Sequence, residues 1–390
     1  MVGVNVLNVL ALAVDTAMLS RVDNAEQALT GLGFATQLVF LLMVAMMGLV
    51  VGTVALAARA YGARDLTRVE HVLSQATTLT CIVGVAVGIV GNIFAGPLLT
   101  LLGAEAAAYE AGIAYLRPLL VGVVFNYLTI LFGAVLRATG DTKTPFRVAM
   151  VMNGLNFAFN YGLILGNYGL PELGIRGAAI GTVAAQAVAA GMLATLLCRG
   201  AIPGVVLPLL PRSLDMPLAK RLWRVGMPAA LDMVVMNAGF LSIVGMLGRI
   251  DPLSVAAHGI GLRIQALAFV PGLSISQATG AMVGNALGAG DEEEARTVAK
   301  VGIAMASVVM TTLAVLIIAG VDPIVMLFDI SPASPLGDFS RQWMFLLGIC
   351  MPAVGPYIAL VGCFRGAGAT RLALRRDEVT ERNNRYPAFQ

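Results

Sequence analysis

Charge is what this chain has least of. Asp, Glu, Lys and Arg make up 12% of its 390 residues, about half their share in a soluble domain. That shortage excludes a soluble enzyme, a nucleic-acid-binding domain and a disordered chain. A formal charge of +3 offers no basic surface for a polyanion. Histidine is confined to His71 and His258. The four cysteines (Cys81, Cys198, Cys350 and Cys363) have no C-x-x-C or His/Cys ligand spacing. No metal site or disulfide framework is indicated, and each reads as a small buried hydrophobe. No Ser/His/Asp or paired-carboxylate arrangement points to catalysis. The segments Gly62-Ala63-Arg64-Asp65 and Gly288-Ala289-Gly290-Asp291 lack the strand and the Lys-Ser/Thr of a phosphate loop. A glycine ending one helix and an aspartate capping the next accounts for both.

Apolar residues are abundant instead, at 58% of the chain with a mean hydropathy of +0.86. No globule of this size covers that much apolar surface, so a bilayer must be the solvent. Runs of about 20 apolar residues predict ten spans: 1–22, 27–61, 67–94, 105–138, 144–166, 174–199, 217–249, 253–287, 292–319 and 334–366. The first has no basic leader, so it reads as a span rather than a signal. With the N-terminus inside, nineteen of the 25 Lys and Arg fall in inner loops or the tail, four fall outside and two are embedded. The positive-inside rule then places both termini in the cytoplasm of a multi-pass inner-membrane protein.

The two halves repeat each other. Arg21-Val22-Asp23 returns as Arg249-Ile250-Asp251, and Gly31-x-Gly33-x-x-x-Gln37 as Gly259-x-Gly261-x-x-x-Gln265. Gly62-Ala63-x-Asp65 returns as Gly288-Ala289-x-Asp291, Pro97 as Pro323, and Arg137-x-x-Gly140-x-Thr142 as Arg365-x-x-Gly368-x-Thr370. The offsets are 226 or 228, and matching elements share a membrane side. That is a parallel repeat about an axis along the membrane normal, with substrate expected between the halves. The expected organisation is a six-helix bundle over 1–200 lacking the start of its first helix, then a cytoplasmic linker over 201–216. A second bundle over 217–370 holds four of six helices, ten of an expected twelve in all. A charged tail over 371–390 cannot enter the bilayer.

Few polar residues lie inside the spans. Asp15 is the acidic residue well within the first, where a carboxylate must face a polar cavity or bind a proton. On a helical wheel Asn5, Asn8 and Asp15 share a face about 80° wide, and Asn153, Asn156 and Asn160 share one of about 60° in the fifth span. Gln186 in the sixth span is a third contributor. One carboxylate among neutral amides suits H⁺ or a weakly held Na⁺; hydrogen bonding between helices is the structural alternative. Asp232, early in the seventh span, is either a second cation-attracting carboxylate of the cavity or an interface residue. His258 reads as an interfacial histidine. Arg117 and Arg263 lie deeper and should pair with carboxylates or carbonyls.

Several of these segments resemble the multidrug and toxic compound extrusion (MATE) family. They are Val14-Asp15-Thr16-Ala17-Met18 with Ala28-Leu29-Thr30-Gly31-Leu32-Gly33, and Leu136-Arg137-Ala138-Thr139-Gly140-Asp141-Thr142-Lys143-Thr144-Pro145. Gly169-Leu170-Pro171-Glu172-Leu173-Gly174, Ala256-Ala257-His258-Gly259-Ile260 and Val283-Gly284-Asn285-Ala286-Leu287-Gly288-Ala289-Gly290-Asp291 continue the likeness over about 1–370. The resemblance implies an all-α, two-bundle antiporter that exports organic cations or amphipathic drugs against H⁺ or Na⁺. It needs no cofactor, nucleic acid or obligate protein partner. Asp15 then corresponds to the cation-coupling aspartate. Asn156 and Asn160 fall in a fifth-helix motif where many members have Asp at the second place, and Asp232 falls where some carry Glu. An inactive membrane remnant and a lipid-linked oligosaccharide flippase are the alternative readings.

Overall fold

The computed structural model describes residue 18 and residues 25–103, 106–207, 213–250, 252–328, 330–331 and 333–368. These are helical almost throughout, and the β pairing among them is one isolated bridge, Ile202 to Val205. The first half contributes α1 (Ala25–Gly62), α2 (Leu66–Leu101), α3 (Ala106–Val121), α4 (Val123–Ala138), α5 (Lys143–Leu165) and α6 (Gly174–Cys198). The second contributes α7 (Met216–Ile250), α8 (Pro252–Ala289), α9 (Glu292–Ala319), α10 (Val321–Met326) and α11 (Pro335–Gly366). Among the described residues seven helices are long and apolar enough to cross a bilayer, or eight with α3 and α4 as one bent span. The expected span over 1–22 lies outside the described residues except for Met18, which is helical and buried.

The expected single span over 105–138 is broken by a 55° bend between α3 and α4. Pro118 removes a backbone donor just before the break. Gly122 at the junction leaves the helical region at φ −92°, ψ 4°. A Cβ on Gly122 would lie 2.2 Å from Val183, so α6 packs into the notch. The repeat-equivalent α11 carries Pro352 and Pro356 yet runs on as one helix. The converse holds one helix earlier. There α2 continues through Pro97, while its counterpart Pro323 sits in the short α10, after a break at Gly320. The repeat preserves order and direction, and each half breaks a different helix.

Each half has its own core. Leu73, Tyr127, Leu131, Phe132 and Leu136 are buried in the first, where the Tyr127 hydroxyl donates to the Leu42 carbonyl at 2.7 Å and ties α4 to α1. Met310, Met344 and Met351 fill the second, where Ser276 donates to the Ile358 carbonyl at 2.7 Å and ties α8 to α11. The connecting segment belongs to the first bundle at its start, since Ile202, Val205 and Leu207 are buried in that core. Its far end is clasped by α2. The Gln75 amide donates to the Ser213 carbonyl at 2.9 Å and accepts from the Asp215 backbone N–H at 2.9 Å. His71 Nε2 lies 2.9 Å from the Asp215 carboxylate, which also caps α7 by accepting from Leu218 N–H at 3.1 Å. The bond with His71, then that from Leu218, holds the Asp215 carboxyl below the usual carboxylate range.

The two aspartates after the glycine loops cap helices as expected. Asp65 accepts from Arg68 N–H and Asp291 from Glu294 N–H. The glycines divide. In the second loop Gly290, with φ 79°, is the left-handed residue that ends α8 as expected. The left-handed residue after α1 is Arg64, with φ 56°, so Gly62 is not needed as a helix stop. It lies where α1 meets α8, and a Cβ there would stand 1.9 Å from the Asn285 carbonyl oxygen. Gly288 is the reciprocal case, 2.1 Å from the Arg59 carbonyl oxygen.

Further along α1, Gly48-x-x-x-Gly52 faces α7. A Cβ on Gly226 would fall 1.8 Å from the Gly48 carbonyl oxygen, and one on Gly52 would fall 2.3 Å from that of Leu222. This small-residue spacing lets helices approach backbone to backbone in lipid, where dispersion and weak polar contacts supply the attraction. Gly226→Ala is therefore expected to force α1 and α7 apart, at about 1–3 kcal/mol of overpacking. Its thermal unfolding midpoint in detergent should fall. Gly239→Ala in the same helix, where nothing lies within 4 Å of the added Cβ, should leave the midpoint unchanged or slightly raised. Equal midpoints for the two variants would remove backbone contact as the reason for these glycines.

Candidate functional site

The asparagine face of the fifth span forms half of a polar site. Asn156 is 8% exposed and Asn160 fully buried, both on the side of α5 that packs on α6. They are linked in series. Asn160 Nδ2 donates to Asn156 Oδ1 at 3.3 Å, Asn156 Nδ2 donates to Thr182 Oγ1 at 3.1 Å, and the Thr182 hydroxyl donates to the Ala178 carbonyl at 2.9 Å. This chain runs in one direction and carries no net charge. Its members polarise one another, since every donor but the last serves a neighbour that is itself donating.

Glycine on α6 makes room for it. A Cβ on Gly181 would lie 2.2 Å from Asn160 Oδ1, and one on Gly177 would lie 2.3 Å from the Leu163 carbonyl oxygen. The two helices are thus drawn together on either side of the amides. Thr182 and Gly181 were not singled out in the sequence. Their signal is the run Gly177-Ala178-Ala179-Ile180-Gly181-Thr182, a small-residue ladder one turn long ending in a hydroxyl.

Among the described residues the other expected site residues are dispersed. Asn153 turns back on its own helix, donating to the Ala149 carbonyl at 2.8 Å. Gln186 lies one turn beyond Thr182, and its backbone carbonyl accepts from the Thr129 hydroxyl of α4 at 3.3 Å. Asn5, Asn8 and Asp15 lie outside the described residues. Asp232 is half-exposed and forms an ion pair with Arg365 of α11 at 3.0 Å. Both partners belong to the second half, so the contact stays within one bundle.

His258 is buried against protein at 5% exposure, within the first two turns of α8. Its Nδ1 accepts from Trp343 Nε1 at 3.0 Å, with the rings edge to face at 5.7 Å. The reason is local: a Cβ on Gly261 would fall 2.1 Å from the Trp343 ring, so the indole lies over bare backbone one turn from His258. Arg117 and Arg263 are exposed, and neither has the carboxylate or carbonyl partner expected of it among the described residues. Arg59, which the sequence did not single out, donates to the Ala367 carbonyl at the end of α11. Asn285 donates to the Ala138 carbonyl at the end of α4, at 3.1 Å. Among the described residues no group of three or more His, Cys, Asp or Glu is arranged to hold a metal ion.

Two bundles in contact through α1, α7 and α8, with a buried neutral polar chain in one of them, can be set beside known proteins. The MatE family model matches residues 1–162 and 228–375, most of both halves. The probable multidrug resistance protein NorM of Thermotoga maritima is 28% identical over 372 residues, covering 94% of this chain and 78% of that protein. A multidrug resistance MATE family transporter solved in an outward-facing conformation superposes with a TM-score of 0.85 at 24% identity, over 95% of this chain and 81% of that one. The MATE transporter VcmN of Vibrio cholerae gives 0.86 at 21% identity, over 97% and 84%. These two likenesses speak to the fold, and the family match extends through both halves of the sequence. The chain belongs to the MatE family and is a multi-pass, all-α membrane efflux transporter, not an enzyme.

Proposed function

We propose that this protein is a secondary active exporter that exchanges organic cations or amphipathic drugs for H⁺ or Na⁺ by alternating access between its two bundles. It has no resident cofactor, works without an obligate protein partner, and lies in the inner membrane with both termini cytoplasmic. The observation that carries this reading is the Asn160–Asn156–Thr182 chain. Polar side chains in the interior of a span are costly and mark interhelical contacts or ion pathways. Asp15 supplies the one carboxylate that such a pathway needs. Together they make a site with a single titratable group among neutral donors and acceptors. That composition holds one proton, or one sodium ion with carbonyl and amide oxygens completing its shell. The charge asymmetry of the loops supports the orientation, and the parallel repeat supports the rocking of one half against the other.

In the full-length protein, Asp15→Asn is expected to abolish ethidium efflux driven by an imposed proton or sodium gradient, while surface expression is retained. Export by this variant at the wild-type rate under both gradients would remove Asp15 from coupling. Asn160→Asp would place a second carboxylate beside the first. Like-charge repulsion then keeps one proton bound to higher pH, so the pH optimum of export should move upward. Superimposable pH profiles for Asn160→Asp and wild type would mean that position 160 does not share a site with Asp15.

A further inference from the structure

The contact between α1 and α8 contains an exchange of partners that follows the internal repeat. Arg59 and Asn285 are 226 residues apart, the same offset that relates Gly62 to Gly288. Gly62 lies over the Asn285 carbonyl and Gly288 over the Arg59 carbonyl. In an isologous contact residue i meets j while j meets i; here the two halves of one chain meet in that way. The side chains continue the exchange. Arg59, in the first bundle, donates to the Ala367 carbonyl at the end of α11 in the second. Asn285, in the second bundle, donates to the Ala138 carbonyl at the end of α4 in the first. The helices that receive these bonds are themselves repeat partners, ending in Arg137-x-x-Gly140 and Arg365-x-x-Gly368.

We propose that Arg59 and Asn285 form a pseudo-symmetric latch that closes the Arg-rich end of the transporter, and that both hydrogen bonds break and re-form in each transport cycle. The inference rests on the alternating-access reading above and adds the residues that hold one of its two states. The acceptors suit the task. The last carbonyls of a helix have no partner within the helix, so they are free to bond across the interface when the bundles meet and to water when they part. Opening therefore exchanges these bonds rather than leaving polar groups bare. The two arms differ in strength, because the Arg59 guanidinium sits at the negative end of the α11 dipole whereas Asn285 is neutral. Closure also has a built-in cost. Asn285 Oδ1 is buried without a hydrogen-bond partner among the described residues, and opening to water relieves it.

The Arg365–Asp232 pair lies at the same end but links α11 to α7 within the second half. It provides the control. The test uses the full chain in lipid nanodiscs, with Cys81, Cys198, Cys350 and Cys363 replaced by alanine. Spin labels are attached through Thr67→Cys and Glu293→Cys, exposed positions in the first turns of α2 and α9, and their separation is read by double electron–electron resonance. Asn285→Ala should raise the ratio of long to short distances roughly fivefold, and Arg59→Met roughly tenfold or more, as expected for a neutral and a charged hydrogen bond. Arg365→Met should leave the distribution unchanged. Unaltered distances in both Asn285→Ala and Arg59→Met would overturn the latch, and so would an equal shift in Arg365→Met. If Arg59→Met fails to fold, the smaller Asn285→Ala change decides alone. The distance is read without gradient or drug, so its outcome is separate from whether Asp15 couples export.

Discussion

Where α1 crosses α8 the two bundles touch main chain to main chain, Gly62 against the Asn285 carbonyl and Gly288 against the Arg59 carbonyl. Much else in the molecule depends on that approach. In lipid, apolar side chains gain little by leaving one apolar environment for another, so helices associate through close packing and hydrogen bonds. A single methyl group at either glycine would separate the helices and carry Arg59 and Asn285 away from their acceptors. The same constraint recurs at Gly48, Gly52 and Gly226 between α1 and α7, and at Gly177 and Gly181 between α5 and α6. Glycine here serves less to turn the chain than to bring helices within reach of polar contacts.

Polar groups follow a consistent placement. Hydroxyls inside the spans mostly fold back on their own helix, as Thr53 does to the Leu49 carbonyl and Ser274 to that of Val270. This satisfies them without demanding a partner elsewhere. Groups that bond between helices are fewer, and two kinds of placement stand out among them. Some lie at helix ends, where carbonyls are unpaired, as with Arg59 and Asn285. Others lie in the asparagine chain between α5 and α6, where the side chains satisfy one another. The first kind can be traded for water, whereas the second is buried within one bundle.

The halves share an order of elements without being copies. Phe132 and Leu136 are buried in the first bundle, whereas their repeat equivalents Leu360 and Phe364 are 41% and 57% exposed. The reason is that α6 packs on α4, while no such helix covers α11 among the described residues. Pro118 and Gly122 bend one half's fourth span, and Gly320 interrupts the other half's third. The two bodies are thus unequal, with the buried asparagines belonging to one of them alone.

The class of protein, the unbroken course of eight of the ten spans, the repeat and the asparagine face are all legible in the residues. Hydropathy over a run of twenty residues and a 100° step per residue are local properties, and a bilayer leaves the chain almost no other way to satisfy its backbone. The breaks at Gly122 and Gly320 are not legible, because prolines at 97, 352 and 356 leave their helices whole. Whether a proline breaks or merely bends a helix depends on what packs into the notch. Asp232 and His258 were placed only by partners 133 and 85 residues away, Arg365 and Trp343. The largest gap concerns Arg59, which by itself is one more basic residue at the end of a span. Its carbonyl acceptor lies 308 residues along the chain, and the two meet only because glycines 226 residues apart let the two bundles touch.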